Sequence, residues 1–318
     1  MRRFFCIFLA LILFVPALTS CGNSRVDNDK ITIVTTVFAE YDWTRQILGD
    51  TADEVELIFL TENGTDLHSY QPSVADMAKI TTCDLLIYTG GSSDKWIDEA
   101  LSLSPSDKQA VLRLTGLMSD ENLLFEQSAH HDSEHHHNEE YDEHVWLSLR
   151  LAISFCEAIR DMLSALIPEN EQKYRDNCAG YIRQLESLHQ AYEREIASSP
   201  VEALVFADRF PFSYLFHDYS LTCYAAFPGC SSETEASFKT VSELAEAIDR
   251  LSLPAVIILE NADEALAKTV IATTVSKSAT IVPMDSMQSV TRADINEGTT
   301  YLSIMTQNLS ALRIALGQ

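Results

Sequence analysis

The chain has 318 residues, enough for two lobes of about 150 residues each. A hydrophobic share of 46 % and a charged share of 22 % exclude a chain that is disordered throughout. Lys and Arg total 22 against 47 Asp and Glu, a formal charge of −25, so the basic footprint that nucleic acid or anionic headgroups would need is absent.

The first predicted element is an export signal over residues 1–20. Arg2 and Arg3 form a short basic region, and Phe4 to Val15 is almost wholly apolar but too short for a comfortable membrane span. Leu18-Thr19-Ser20-Cys21 resembles a bacterial lipoprotein processing box, which implies cleavage before Cys21 and a lipid on its sulfur. Residues 21–30 are polar and read as a tether. Of the later cysteines, Cys223 and Cys230 are close enough in sequence to bridge across a turn, and buried thiols are the reading for Cys83, Cys156 and Cys178.

A first α/β lobe is predicted over 31–167. Apolar runs with strand character at Ile31–Val37, Val55–Leu60, Asp84–Thr89 and Ala110–Leu114 alternate with helical patterns ending near Leu48 and covering Ser73–Ile80 and Lys95–Leu101. This alternation is the mark of a parallel sheet with both faces covered. A solvated loop at 130–143 interrupts it: six His and six acids crowd into residues 130–144, with no apolar period. Helical spacing resumes from Val145 to Ile167. Pro168 breaks it, and a second amphipathic stretch, 169–197, carries Tyr174, Cys178, Tyr181, Leu185, Leu188, Tyr192 and Ile196 on one stripe. At 1.5 Å per residue it would run about 44 Å, long enough to join two lobes.

Residues 200–318 repeat the same logic as a second lobe. Strands are expected at Ala203–Ala207, Leu221–Phe227, Ala255–Glu260 and Ala279–Met284. Helices are expected at Phe212–Tyr219, Thr240–Leu251, Glu264–Val275 and Thr300–Leu316. The expected fold is therefore α/β: two lobes, each a parallel sheet covered by helices and keeping its own core, joined by one long helix, with a site in the cleft between them.

Four residues stand where such a site would form. His68 follows the second strand, His144 opens a helix, and Asp208 and Asp285 end strands of the second half. Ligands of open α/β sheets sit outside the carboxyl ends of strands. Two imidazoles and two carboxylates suit Zn²⁺ or Mn²⁺. Asp285 also suits a turn or helix-capping role.

These segments resemble a known family. Residues 64–73, GTDLHSYQPS, are similar to the D-P-H-x-Y-x-P-[ST] motif of the zinc and manganese solute-binding lipoproteins of ABC transporters (cluster A-I, family 9). DEHVWLS is similar to their D-P-H-V-W-L-[DS] motif, and the stretch from PMDS to TTYLSIMTQNLSAL is similar to their closing segment. Leu67 and Glu143 replace the prolines of the two motifs. Ala207 falls at the family's third ligand position, so the adjacent Asp208 is taken as donor, with His217 and Glu235 in reserve.

The resemblance implies a monomeric, lipid-anchored receptor outside the cytoplasm. It would bind a divalent metal and deliver it to an ABC permease and its ATPase, without catalysis. The loop histidines His130, His131, His135, His136 and His137 would form an auxiliary weak metal-collecting segment and favour Zn²⁺ over Mn²⁺ as cargo. The chain holds no HExxH and no GxSxG, which argues against an extracytoplasmic metallohydrolase.

Overall fold

Eight strands form two four-stranded sheets among the described residues of this computed structural model, which are 30–124, 141–231 and 235–318. In the first sheet β1 (Ile31–Thr35), β2 (Val55–Phe59), β3 (Leu85–Tyr88) and β4 (Ala110–Arg113) lie in the order β2-β1-β3-β4. In the second, β5 (Ala203–Phe210), β6 (Thr222–Pro228), β7 (Ala255–Leu259) and β8 (Thr280–Met284) lie in the order β6-β5-β7-β8. Every pairing is parallel. The expected fold class is therefore observed, with the same strand order in both halves.

The intervening helices are α1 (Phe38–Leu48), α2 (Val74–Thr82), α3 (Lys95–Leu103), α4 (Leu149–Leu166) and α5 (Glu171–Ser198). In the second half they are α6 (Ser213–Asp218), α7 (Phe238–Leu251), α8 (Ala265–Thr273), α9 (Arg292–Asn296) and α10 (Tyr301–Ala315). The sequence periodicity misses α9, a five-residue helix fixed by the reciprocal caps of Thr291 and Asp294. None of the helices among the described residues is long and apolar enough to cross a membrane.

Side-chain alternation along the strands decides how the core is built. In β1 and β3, Ile33, Leu85 and Ile87 face one cluster, while Val34, Leu86 and Tyr88 face another. In β5 and β7, Leu204, Phe206, Ala255 and Ile257 join the same cluster as Ile33, while Val205, Ala207, Val256 and Ile258 face a third. Each sheet thus has a private outer core, and the inner faces share one central core. The expectation that each lobe keeps its own core holds only for the outer faces.

The long helix is part of that shared core. Tyr174, Cys178, Tyr181, Leu185, Tyr192 and Ile196 of α5 are buried in it beside α1, α4 and α10. Tyr192 Oη donates to the Met305 carbonyl at 2.6 Å, Tyr301 Oη to the Trp146 carbonyl at 2.8 Å, and the Tyr301 N–H to Asp42 Oδ2 at 2.9 Å. Residues 31–318 form one compact unit.

Candidate metal centre

His68 is set by a tight turn after β2. Leu67–Ser69 is a single 3₁₀ turn, and Asp66 Oδ1 caps it by accepting the His68 N–H at 3.0 Å. Leu67, where the motif has proline, buries its side chain in the shared core and anchors the turn by packing instead. Asp66 Oδ2 also pairs with Arg209 Nη1 of β5 at 3.0 Å, tying this turn to the second sheet.

His144 stands before a 3₁₀ turn, Val145–Leu147, rather than at a helix start; α4 begins at Leu149, capped by Ser148 Oγ. The residue is fully buried. Asp142 Oδ1 accepts from the His144 N–H at 2.9 Å and meets Nδ1 at 2.7 Å, so the ring is held by its Nδ1 edge. Burial alone would lower the His144 pKa, but the Asp142 carboxylate outweighs it and the pKa is raised.

His68 is held in the same way. Its Nδ1 lies 2.9 Å from both Glu143 Oε1 and Ser93 Oγ. Glu143 Oε2 accepts the Ser93 N–H at 3.0 Å, and Ser93 Oγ bonds Oε1. Burial raises the Glu143 pKa, yet the His68 ring and Ser93 bring it down to about 2. Gly91 makes room for this carboxylate: a Cβ there would lie 2.6 Å from the Glu143 Cβ. Glu143, a departure from the motif's proline, therefore orients the other histidine. A carboxylate directly before a candidate ligand is the sequence signal for it.

With both Nδ1 edges occupied, the two Nε2 atoms face each other at 3.0 Å. Two nitrogens bound to one tetrahedral cation at 2.0–2.1 Å would be about 3.3 Å apart. Carboxylate-backed imidazoles at this separation fit a transition metal, because the backing fixes the tautomer and raises donor strength. Among the described residues, Cys230 joins them: its Sγ and the two histidine donor atoms all lie within 4.8 Å of one another. Cys223 is a thiol, so the bridge between it and Cys230 is not made.

The expected four-donor set is not brought together. Asp208 and Asp285 both lie outside the histidine cluster. Strand β5 runs past its expected end to Phe210 with an irregularity between Phe206 and Arg209. There Asp208 accepts the Arg209 N–H at 2.8 Å and the Leu259 N–H of β7 at 3.1 Å. Asp285 Oδ1 accepts the Met287 N–H at 2.7 Å, and burial raises its pKa. Glu260, engaged by the Ser286 N–H and hydroxyl, is raised to about 7 by burial and by Asp285. Asp66, Ser69, Asp208 and Leu259 line a cleft of about 490 Å³ between the two sheets. His217 and Glu235 are exposed and outside the cluster. Cys21 and the histidines at 130, 131, 135, 136 and 137 lie outside the described residues.

Two like sheets on a common helical core, with paired imidazoles between them, define the class of two-lobed binding proteins that hold a small solute in a cleft. Residues 33–315 match the family described as zinc-uptake complex component A, periplasmic, and the chain belongs to that family. It is 34 % identical over 303 residues to the zinc-binding lipoprotein AdcA of Streptococcus pneumoniae R6, covering 93 % of this chain and 58 % of AdcA. It therefore spans less than two thirds of that relative. The high-affinity zinc uptake system protein ZnuA of Bacillus subtilis 168 is 27 % identical over 314 residues, covering 96 % of this chain and 95 % of its own. The crystal structure of the Zn(II)-bound ZnuA-like domain of S. pneumoniae AdcA superposes with a TM-score of 0.73 at 31 % identity, over 91 % of this chain and all of that domain.

Proposed function

We propose that this protein captures Zn²⁺ outside the cytoplasm and hands it to an ABC-type permease and its ATPase for import. The observation that carries this reading is the pair of Nε2 atoms 3.0 Å apart, each ring backed by its own carboxylate. His68 and His144 are the proposed donors from the first lobe. Asp285 is the proposed carboxylate from the second, since no hydrogen bond among the described residues occupies its Oδ2 and the adjacent Ser286 carbonyl accepts from Trp146 Nε1 at 3.0 Å. Asp208 would have to release two backbone N–H groups to serve, so its proposed role is to brace β5 against β7. The relatives are named as binding and uptake components, which supports a receptor without catalysis.

The lipid on Cys21, the monomeric state and the metal-collecting role of the histidines at 130–137 belong to the same proposal. The test is elemental analysis of the purified chain with competitive titration of Zn²⁺ against Mn²⁺. One tight zinc per chain, lost in His144→Ala, is expected; an unchanged tight site in that variant overturns the reading.

A further inference from the structure

Cys230 comes from the second sheet and reaches the histidines of the first. It follows β6 by two residues, and the residue between, Gly229, is pressed against the site. A Cβ at 229 would lie 2.8 Å from the Phe210 carbonyl oxygen and 3.2 Å from both His144 Cε1 and Pro211 Cα. Only the missing side chain lets the backbone pass this close to the His144 ring. The next residue then points sulfur at the cluster: Sγ and one ring nitrogen from each of His68 and His144 lie within 4.8 Å of one another, and Sγ is 4.0 Å from Glu143 Oε1. For comparison, sulfur and nitrogen on one tetrahedral zinc, at 2.3 and 2.0–2.1 Å, would be about 3.6 Å apart.

We propose that Cys230 binds the captured cation through its sulfur and is the residue that selects zinc over manganese. This rests on the receptor reading above. It adds a second donor from the second lobe beside the proposed Asp285, where Asp208 is engaged by backbone N–H groups. On metal binding the S–H bond is replaced by an S–metal bond and the proton leaves to solvent. A thiolate favours Zn²⁺, whereas carboxylate and water sets suit Mn²⁺, so a sulfur among two imidazoles shifts the site toward zinc.

The test uses the full chain with one equivalent of Co²⁺ as a spectroscopic probe, followed by Zn²⁺/Mn²⁺ competition. The wild type should show a thiolate-to-cobalt charge-transfer band. Cys230→Ser should still bind cobalt but lose the band. Its zinc affinity should fall by about 100-fold, the upper end of what even an outer-sphere change costs, while manganese affinity changes little. Circular dichroism and the unfolding midpoint check that the variant is folded. His144→Ala, run in parallel, separates the two readings. If it abolishes tight binding while the wild type shows no thiolate band, or Cys230→Ser keeps its zinc preference, the cysteine assignment is wrong and the receptor reading stands. If both variants bind as the wild type does, the receptor reading falls and this inference falls with it.

Discussion

The two lobes share a strand order but differ in what they do with their acidic residues. In the first lobe, Asp142 and Glu143 direct their oxygens at histidine Nδ1 atoms, and both Nε2 atoms are left facing each other. In the second lobe, Asp208 accepts from the Arg209 and Leu259 N–H groups, and Glu260 from Ser286. Carboxylates of two halves with the same architecture therefore serve opposite ends: one set prepares donors, the other satisfies backbone. A residue's chance of binding metal depends on which of its atoms the local backbone leaves over, more than on its position in the fold.

This contrast can be broken most severely at His144. Replacing it by alanine removes a donor and takes from the buried Asp142 its imidazole partner, so zinc affinity should fall by more than about 100-fold in a chelator-competition titration. Asp142→Asn should leave the donor present but loosely held, and the same titration should show a loss of about 10- to 100-fold. Asp208→Ala should act in the other direction, on folding rather than on metal. Leaving the Leu259 N–H without its acceptor should cost about 1–3 kcal/mol in denaturant unfolding, with zinc affinity changed far less than in Asp142→Asn. A large loss of zinc with unchanged stability would make Asp208 a donor and erase the contrast.

The smallest expected effect on zinc concerns Glu40, fully buried at the start of α1. It accepts from the Thr36 and Val37 N–H groups and from the Thr36 and Thr89 hydroxyls, while burial and the nearby Asp94 carboxylate push its pKa from 4.5 up to about 8. A carboxyl raised in the folded state adds stability that is fully present below pH 4.5. That stability declines as pH rises, until it is lost above about pH 8. Glu40→Gln should therefore unfold less steeply with pH than the wild type between pH 5 and 8, in denaturant titrations without metal.

The fold was legible where the period was local. The strands at 31–37, 84–89 and 255–260 follow from apolar runs, and α5 from a single stripe of Tyr, Cys and Leu, because burial on both sheet faces or one helix face leaves a pattern in the chain itself. The two histidines were legible because each sits in a dense short motif. Cys230 was not: only the tertiary approach of the Gly229 backbone to His144 makes it a neighbour, and a Gly-Cys pair after a strand carries no periodicity. Asp208 reads as a strand end in the sequence, whereas β5 continues to Phe210 and Asp208 falls in the irregular stretch between Phe206 and Arg209, which no local pattern marks.

The central core that accepts alternate residues from both sheets, together with the buried stripe of α5, has a consequence for how the halves can move. Because Phe206 and Ile257 lie in the same hydrophobic cluster as Ile33 and Ile87, separating the halves would expose apolar surface at roughly 25 cal/mol per Å². Wide clamshell motion is thereby disfavoured. For the same reason, a protease cut in the Ser199–Pro200 connection should leave two fragments that stay associated and melt together.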